Sequence, residues 1–198
     1  MIISGYIKDM RIILTRHGES VYNTENRIGG DPVLSDIGVK YADKLSEFIG
    51  NTEWFPRKCI CSTRKRVEQT VDAIKDKMDT IVLTNELDEL NAGICENLTY
   101  TQFYQIYMEE FTNRYADKLN YKYPGGESYV DLIERVRSVA DDVKRENNDV
   151  LIVSHQAVTR ALLHHFIGVD IEEVPHLDVP LNTLIVIKDG KKITEISL

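Results

Sequence analysis

The chain has 198 residues, of which 42% are hydrophobic and 28% charged, with a formal net charge of −8, a size suited to one well-buried domain and short for two. The charge argues against nucleic acid or an anionic membrane as partner, because both demand a basic surface, and no stretch approaches the roughly 20 apolar residues that span a bilayer. An anionic small molecule is not excluded, since a few arginines converging in one cleft make a local positive potential inside an acidic protein.

The N-terminal run MIISGYIKDM meets Lys8 and Asp9 before an apolar signal core can develop, so secretion is not expected. RIILT (11–15) reads as a first strand and leads into LTRHGES (14–20), where Arg16 and His17 stand side by side. Ser35 fits the N-cap of a helix whose inward stripe reads Ile37, Tyr41, Leu45 and Phe48 and which ends near Gly50. KCICS (58–62) reads as a second strand and leads into Arg64 and Arg66. Its Cys59 and Cys61 point to one face; with Cys95 they make an odd number, read as reduced thiols in a cytoplasmic protein, with zinc a poor second.

IVLT (81–84) reads as a third strand, followed by NELDELNAGICEN with Glu86, Asp88, Glu89 and Glu96. Thr99 and Gln102 make a capping-box pattern before YTQFYQIYMEEF. Ser128 caps a long helix carrying Leu132, Ile133, Val136, Val139 and Val143. VLIVS (150–154) is a fourth strand leading into His155 and Gln156, AVTRALLHHFIG a helix closed by Gly168, and TLIVI (183–187) a fifth strand.

No repeat, low-complexity tract or linker divides this order, so a single domain over residues 1–198 is expected. Strands that are mostly apolar on both faces and alternate with helices predict an α/β fold, a three-layer α/β/α arrangement around a largely parallel central sheet. Sites in such folds gather at the carboxyl ends of the strands. Three strands then deliver Arg16, His17, Arg64, Arg66 and His155 to one rim.

Taken singly, an arginine after a strand is usually solvated and a lone histidine usually structural. Their convergence asks for an oxyanion, whose oxygens the guanidinium fork matches. A neutral His17 can attack phosphorus to give a phosphohistidine that water then opens, with Arg16, Arg66 and His155 holding the non-bridging oxygens. An acid must protonate the leaving oxygen, and Glu86, Asp88, Glu89 and Glu96 are all placed to supply it. The five histidines show no H-E-x-x-H or His-x₃-His pair, and there is no Gly-x₄-Gly-Lys-Ser/Thr loop. Neither a metal nor a cofactor is expected.

LTRHGES resembles the Arg-His-Gly signature of the histidine phosphatase, or phosphoglycerate mutase-like, superfamily, and VLIVSHQAV resembles its second histidine block. RIGGDPVLSDIG, NAGICENLTY, YKYPGGESYVDLIERV and SHQAVTRALLHHF are further similar to the bisphosphatase domain of the bifunctional 6-phosphofructo-2-kinase/fructose-2,6-bisphosphatases. The resemblance implies a phosphoglycerate mutase-like fold with His17 as nucleophile, Arg16 and Arg66 as phosphate-holding arginines, His155 as second histidine, and Glu89 as acid, four residues before Gly93.

It further implies Asn23 and Gly29 around a 2-phosphate, and Tyr100, Arg114, Lys118, Tyr129, Gln156 and Arg160 around fructose and its 6-phosphate. Arg114 with Lys118, and Gln156 with Arg160, are four apart, so each pair shares a face where its segment is helical. The implied activity is metal-independent hydrolysis of fructose 2,6-bisphosphate to fructose 6-phosphate and phosphate. The alternatives are a broader phosphatase or phosphoglycerate mutase, and a phospho-ligand sensor without turnover. The chain has no counterpart of the kinase half and lacks the long insertion of the dimeric mutases. Gly125 stands where the bisphosphatases often carry a basic residue, which implies weaker binding of the sugar bisphosphate. The sequence assigns no oligomeric state.

Overall fold

The computed structural model describes residues 10–198, so most of the N-terminal run considered for a signal core lies outside the described residues. In chain order the regular elements are β1 (Arg11–Arg16), α1 (Val21–Thr24), α2 (Asp36–Gly50), β2 (Lys58–Cys61), α3 (Lys65–Asp72) and β3 (Thr80–Leu83). There follow α4 (Tyr100–Ile106), α5 (Met108–Ala116), α6 (Tyr129–Arg145), β4 (Val150–Ser154), α7 (Gln156–Ile167), β5 (Thr183–Lys188) and β6 (Lys191–Ser197). Among the described residues no helix is long and apolar enough to cross a membrane.

The six strands form one mixed sheet in the order β3-β2-β4-β1-β5-β6. β3, β2, β4 and β1 run parallel, while β5 and β6 extend the sheet antiparallel from β1. Period-two alternation splits the core between the two faces. Ile13, Cys59, Cys61, Leu151 and Val153 pack with Tyr41, Leu45 and Ile49 of α2 and Val67 and Val71 of α3. Ile12, Leu14, Ile60, Val150 and Ile152 pack on the other face with Leu132, Val136, Val139 and Val143 of α6 and Val158 and Leu162 of α7. Helices thus cover both faces. Each fully buried Leu or Val among them contributes about 1.5–3 kcal/mol relative to exposure. Cys59, Cys61 and Cys95 are free and buried.

Local chemistry sets the helix ends. The Ser35 hydroxyl accepts from the Gly38 amide, while Thr99 with Gln102 and Ser128 with Asp131 form capping boxes. Gly168 closes α7 in the left-handed region at φ 71°.

The structure departs from the expected pattern in three places and adds one strand. Ile37 is 55% exposed and Phe48 only half-buried, because the inward stripe of α2 runs through Gly38, Tyr41, Ala42, Leu45 and Ile49. The segment YTQFYQIYMEEF is broken at Tyr107, whose φ of −130° and ψ of 57° separate α4 from α5. β3 is an edge strand with Val82 and Leu83 exposed, so its apolar character does not mean burial. β6 is an added strand of mixed, exposed KKITEIS, joined to β5 by Asp189 and Gly190 at φ 52° and 68°, a two-residue turn of the Asp-Gly kind.

This topology places the site. β1 and β4 are hydrogen-bonded neighbours, but β1 leads toward α2 on one face and β4 into α7 on the other. A crevice at the carboxyl ends of two such strands follows from their diverging connections. His17 and His155 are the residues that immediately follow these two strands.

Candidate active site

His17 continues the ladder past β1, its amide donating to the Ser154 carbonyl at 2.9 Å, and its ring is buried. Nδ1 lies 2.6 Å from the Gly18 carbonyl oxygen. A carbonyl can only accept, so Nδ1 carries the proton and Nε2 keeps the lone pair. That lone pair accepts from Arg66 Nε at 3.1 Å. Burial first, and then the charge of Arg66, hold the imidazole well below its ordinary pKa, against the opposing pull of the Gly18 carbonyl. The ring is therefore neutral near pH 7.

The backbone around His17 is pinned by close approach. A Cβ at Gly18 would lie 2.4 Å from the Gly38 carbonyl oxygen, so the segment after β1 packs directly on the first turn of α2. The Gly18 amide also donates to Thr70 Oγ1 of α3 at 3.0 Å.

Two guanidiniums flank the ring. Arg16, the last residue of β1, is buried and donates through Nη1 to the Val179 carbonyl at 2.8 Å, while its Nε is buried without a protein partner. Burial lowers its pKa to about 10, partly opposed by the charge of Glu89. Arg66, in the first turn of α3, donates through Nη1 to the Gly30 carbonyl at 2.9 Å. His155 is fully buried, and its ring centroid lies 5.1 Å from that of His17, the planes inclined by 58°. Burial first, then the charge of Arg66, the neighbouring His17 ring and the charges of Arg64 and Arg16, keep it well below its ordinary pKa.

The four carboxylates after β3 have distinct surroundings. Asp88 accepts from Ser62, Thr63 and Arg64. Glu96 accepts from the Ala92 and Gly30 amides, bracing the Gly29–Gly30 turn, where Gly29 has φ 60° and any Cβ would meet the Glu96 carboxylate. The backbone carbonyl of Glu86 is held by Arg135, and its side chain is not among the residues lining the cleft. Glu89 lines the cleft together with Arg16, His17 and Arg66.

The same cleft extends to Asn23, Gly29, Tyr100, Arg114, Lys118, Tyr129, Gln156 and Arg160, so every candidate read from the sequence for the sugar and its phosphates opens onto it, whereas the fully buried His155 lies behind its lining, beside His17. The Asn23 carboxamide oxygen accepts from the Ser20 amide and hydroxyl, which commits it to the cap of α1. Arg160 donates to the Leu177 carbonyl and the Tyr129 hydroxyl, and Lys118 to the Pro175 carbonyl. Gln156 and Arg160 share α7, whereas Lys118 does not share a helix with Arg114. α5 ends at Ala116 and the chain turns at Asp117, so spacing of four does not explain why both reach the cleft. Arg64 does not line the cleft but pairs with Asp88 at 3.3 Å. Gly125 also lies outside its lining, in a left-handed turn at φ 72°.

The sequence reading missed Ser20, Tyr22, Arg27 and Tyr123, which also line the cleft. Ser20 lies inside LTRHGES and Tyr123 inside the YKYPGGES segment, but neither residue type announces an anion site by itself. Among the described residues no three His, Cys, Asp or Glu side chains gather as a metal ion would need. The arrangement combines a neutral imidazole lone pair, two guanidiniums, a second imidazole and a nearby carboxyl group. Such a set can hold a tetrahedral anion, attack it and protonate what leaves.

The family model for the histidine phosphatase superfamily (branch 1) matches residues 12–196. A 6-phosphofructo-2-kinase/fructose-2,6-bisphosphatase of Caenorhabditis elegans is 42% identical over 174 residues, 88% of this chain and 38% of the relative. A fructose-2,6-bisphosphatase of Saccharomyces cerevisiae is 40% identical over 193 residues, 96% of this chain and 42% of the relative. The chain thus spans well under half the length of either curated relative. Among solved structures, the alpha-ribazole phosphatase of Shigella flexneri superposes with a TM-score of 0.82 at 23% identity, covering 92% of this chain and 93% of the other. A mycobacterial glucosyl-3-phosphoglycerate phosphatase superposes with a TM-score of 0.77 at 24% identity, covering 89% and 92%. At these identities the structural likeness speaks to the fold.

Proposed function

The chain belongs to the histidine phosphatase superfamily, and from that premise we propose that it hydrolyses fructose 2,6-bisphosphate at its 2-phosphate, through a phosphohistidine at His17. The observation that carries this reading is the tautomer of His17: the Gly18 carbonyl holds the proton on Nδ1, so Nε2 presents its lone pair beside the guanidinium of Arg66.

In the first step Nε2 attacks phosphorus, the bond from phosphorus to the sugar's O2 breaks, and the Glu89 carboxyl group gives that oxygen a proton, releasing fructose 6-phosphate. In the second, the Glu89 carboxylate takes a proton from water as its oxygen attacks the phosphohistidine, returning neutral His17 and phosphate. Arg16, Arg66 and His155 carry the charge of the equatorial oxygens. Asn23 and Gly29 border the transferred group. Tyr100, Arg114, Lys118, Tyr129, Gln156 and Arg160 hold the sugar and its second phosphate, in keeping with three cationic side chains at that end of the cleft. No metal or cofactor takes part. Residues 1–198 act as one phosphatase domain, in keeping with one sheet that runs from Arg11 to Ser197. Buried, unpaired thiols agree with a cytoplasmic setting.

A panel of sugar bisphosphates and phosphoglycerates tests the substrate. The expected products are phosphate and fructose 6-phosphate, formed faster than phosphate from any other member. Interconverted phosphoglycerates would instead assign a mutase. Failure to hydrolyse even an aryl phosphate would assign a binding module.

Lys118 gives the proposal a pH signature. Burial first, then Arg160 and Arg114, lower its pKa to about 8. The amine is thus charged at pH 7 and loses its proton as pH rises through about 8, which weakens its grip on a second phosphate. KM for fructose 2,6-bisphosphate is expected to rise by about tenfold between pH 7 and pH 9, and Lys118→Ala is expected to flatten that rise. The same rise in Lys118→Ala would place the titrating group elsewhere.

A further inference from the structure

The reaction above leaves one buried chain of polar contacts unused: it joins His155 to Ser62, and Ser62 to Asp88. Ser62 is the first residue after β2, and its amide donates to the Val153 carbonyl at 3.2 Å, extending the ladder toward β4. The β2 to β4 register pairs Cys61 with Val153, so Ser62 is carried alongside the residues that lead into His155. Ser62 is fully buried, with Oγ 2.8 Å from His155 Nε2 and 2.7 Å from Asp88 Oδ1.

Proton bookkeeping fixes the direction of these bonds. Asp88 accepts from the Thr63 amide at 3.0 Å and the Thr63 hydroxyl at 2.9 Å, and it pairs with Arg64 at 3.3 Å. Surrounded by donors and a guanidinium it is a carboxylate, which can only accept. The single hydroxyl proton of Ser62 therefore goes to Asp88. One lone pair of Ser62 Oγ receives the Arg64 amide at 3.1 Å, and the other faces His155. Only a protonated Nε2 can bond to it. Nδ1 of His155 is buried with no protein partner, and in the neutral ring it carries a bare lone pair, which would repel an oxyanion.

We propose that Ser62 and Asp88 are positioning residues that hold His155 as its Nε2–H tautomer, so that His155 takes a second proton, on Nδ1, when a tetrahedral dianion enters the cleft. The incoming proton comes from solvent and bonds through the Nδ1 lone pair. The ring becomes an imidazolium whose charge is balanced by the dianion on one side and, through Ser62, by Asp88 on the other. In the absence of an anion the charged groups around the ring are Arg16 from β1, Arg64 and Arg66 at the start of α3, and Asp88 behind Ser62, with the neutral ring of His17 beside it. The cations outnumber the one carboxylate, and together with burial they keep the ring neutral until an anion arrives. The proposal deepens the phosphatase reading and rests on it, but its test needs no turnover.

The test uses protein labelled with ¹⁵N at histidine, with sulfate as probe because it stays dianionic across the pH range of histidine titration. The His155 signals are assigned by their loss in His155→Asn. Without sulfate, proton on Nε2 and a bare Nδ1 are expected; with sulfate bound, both nitrogens are expected to be protonated. Asp88→Asn and Ser62→Ala are each expected to lower sulfate affinity at neutral pH by about tenfold, the loss of one charge-assisted contact. Each is also expected to shift the second protonation of His155 to lower pH. A proton on Nδ1 in the free wild-type protein overturns the proposal, and that reading needs no variant to fold. An unchanged His155 titration in folded Asp88→Asn overturns it as well. Failure of phosphoenzyme labelling with the expected histidine signals intact would instead overturn the catalytic reading alone.

Discussion

His17→Ala is expected to abolish the phosphoenzyme and to lower turnover of fructose 2,6-bisphosphate by on the order of 10⁴-fold or more, since removing a nucleophile leaves only binding and charge stabilisation. The imidazole is the group whose lone pair the fold aims and whose charge it suppresses, through the Gly18 carbonyl, burial and Arg66. His155 is tied through Nε2 to Ser62, whereas Nε2 of His17 keeps its lone pair beside Arg66. The measurement is alkali-quenched labelling with ³²P-substrate, read on alkali-stable, acid-labile phosphohistidine. Circular dichroism and sulfate binding confirm that the variant has kept its fold and anion site. Label of undiminished yield on the folded variant would remove His17 from the role of nucleophile.

Glu89→Gln is expected to slow the bisphosphate about 10²- to 10⁴-fold, the usual worth of a positioned proton donor. Loss on a nitrophenyl phosphate is expected to be far smaller, because a phenolate leaves without being protonated. The contrast identifies a proton donor as distinct from a residue that merely shapes the cleft. Of the four carboxylates after β3, Glu89 lines the cleft while Glu86, Asp88 and Glu96 do not, and Glu89 Oε1 also accepts from the Leu90 amide at 2.9 Å. A leaving-group series in which every member loses the same factor would assign the donor elsewhere.

The rim of the sheet was legible in the sequence because it follows from a local pattern. Short apolar runs ending in Arg16 and His17, or in His155, declare strands whose carboxyl ends carry the polar residues, and the structure puts the two rings 5.1 Å apart. What the sequence concealed depends on register and on where helices stop. Ser62 meets His155 only because β2 lies beside β4 in one particular alignment. Arg114 and Lys118 both line the cleft, but α5 ends between them at Ala116 and a turn carries Lys118 there, which no periodicity contains. Ile37 has the hydrophobicity of an inward residue, but the close packing of Gly38 on the backbone near Glu19 turns α2 so that Ile37 faces water. The choice among four carboxylates was likewise open, because which of them lines the cleft depends on loop geometry that the sequence does not display. β6 went unread because exposed edge strands alternate too weakly to stand out, although Asp-Gly marked its turn.

α5 buries none of its residues completely, whereas every residue of β4 is buried. The two ends of the cleft therefore rest on foundations of unequal firmness. Arg114 belongs to a segment that can open locally without unfolding the sheet, while the pair of imidazoles is tied to the most deeply enclosed strands. Selection can thus retune which sugar is accepted at small cost to the integrity of the molecule, leaving the phosphorus chemistry untouched.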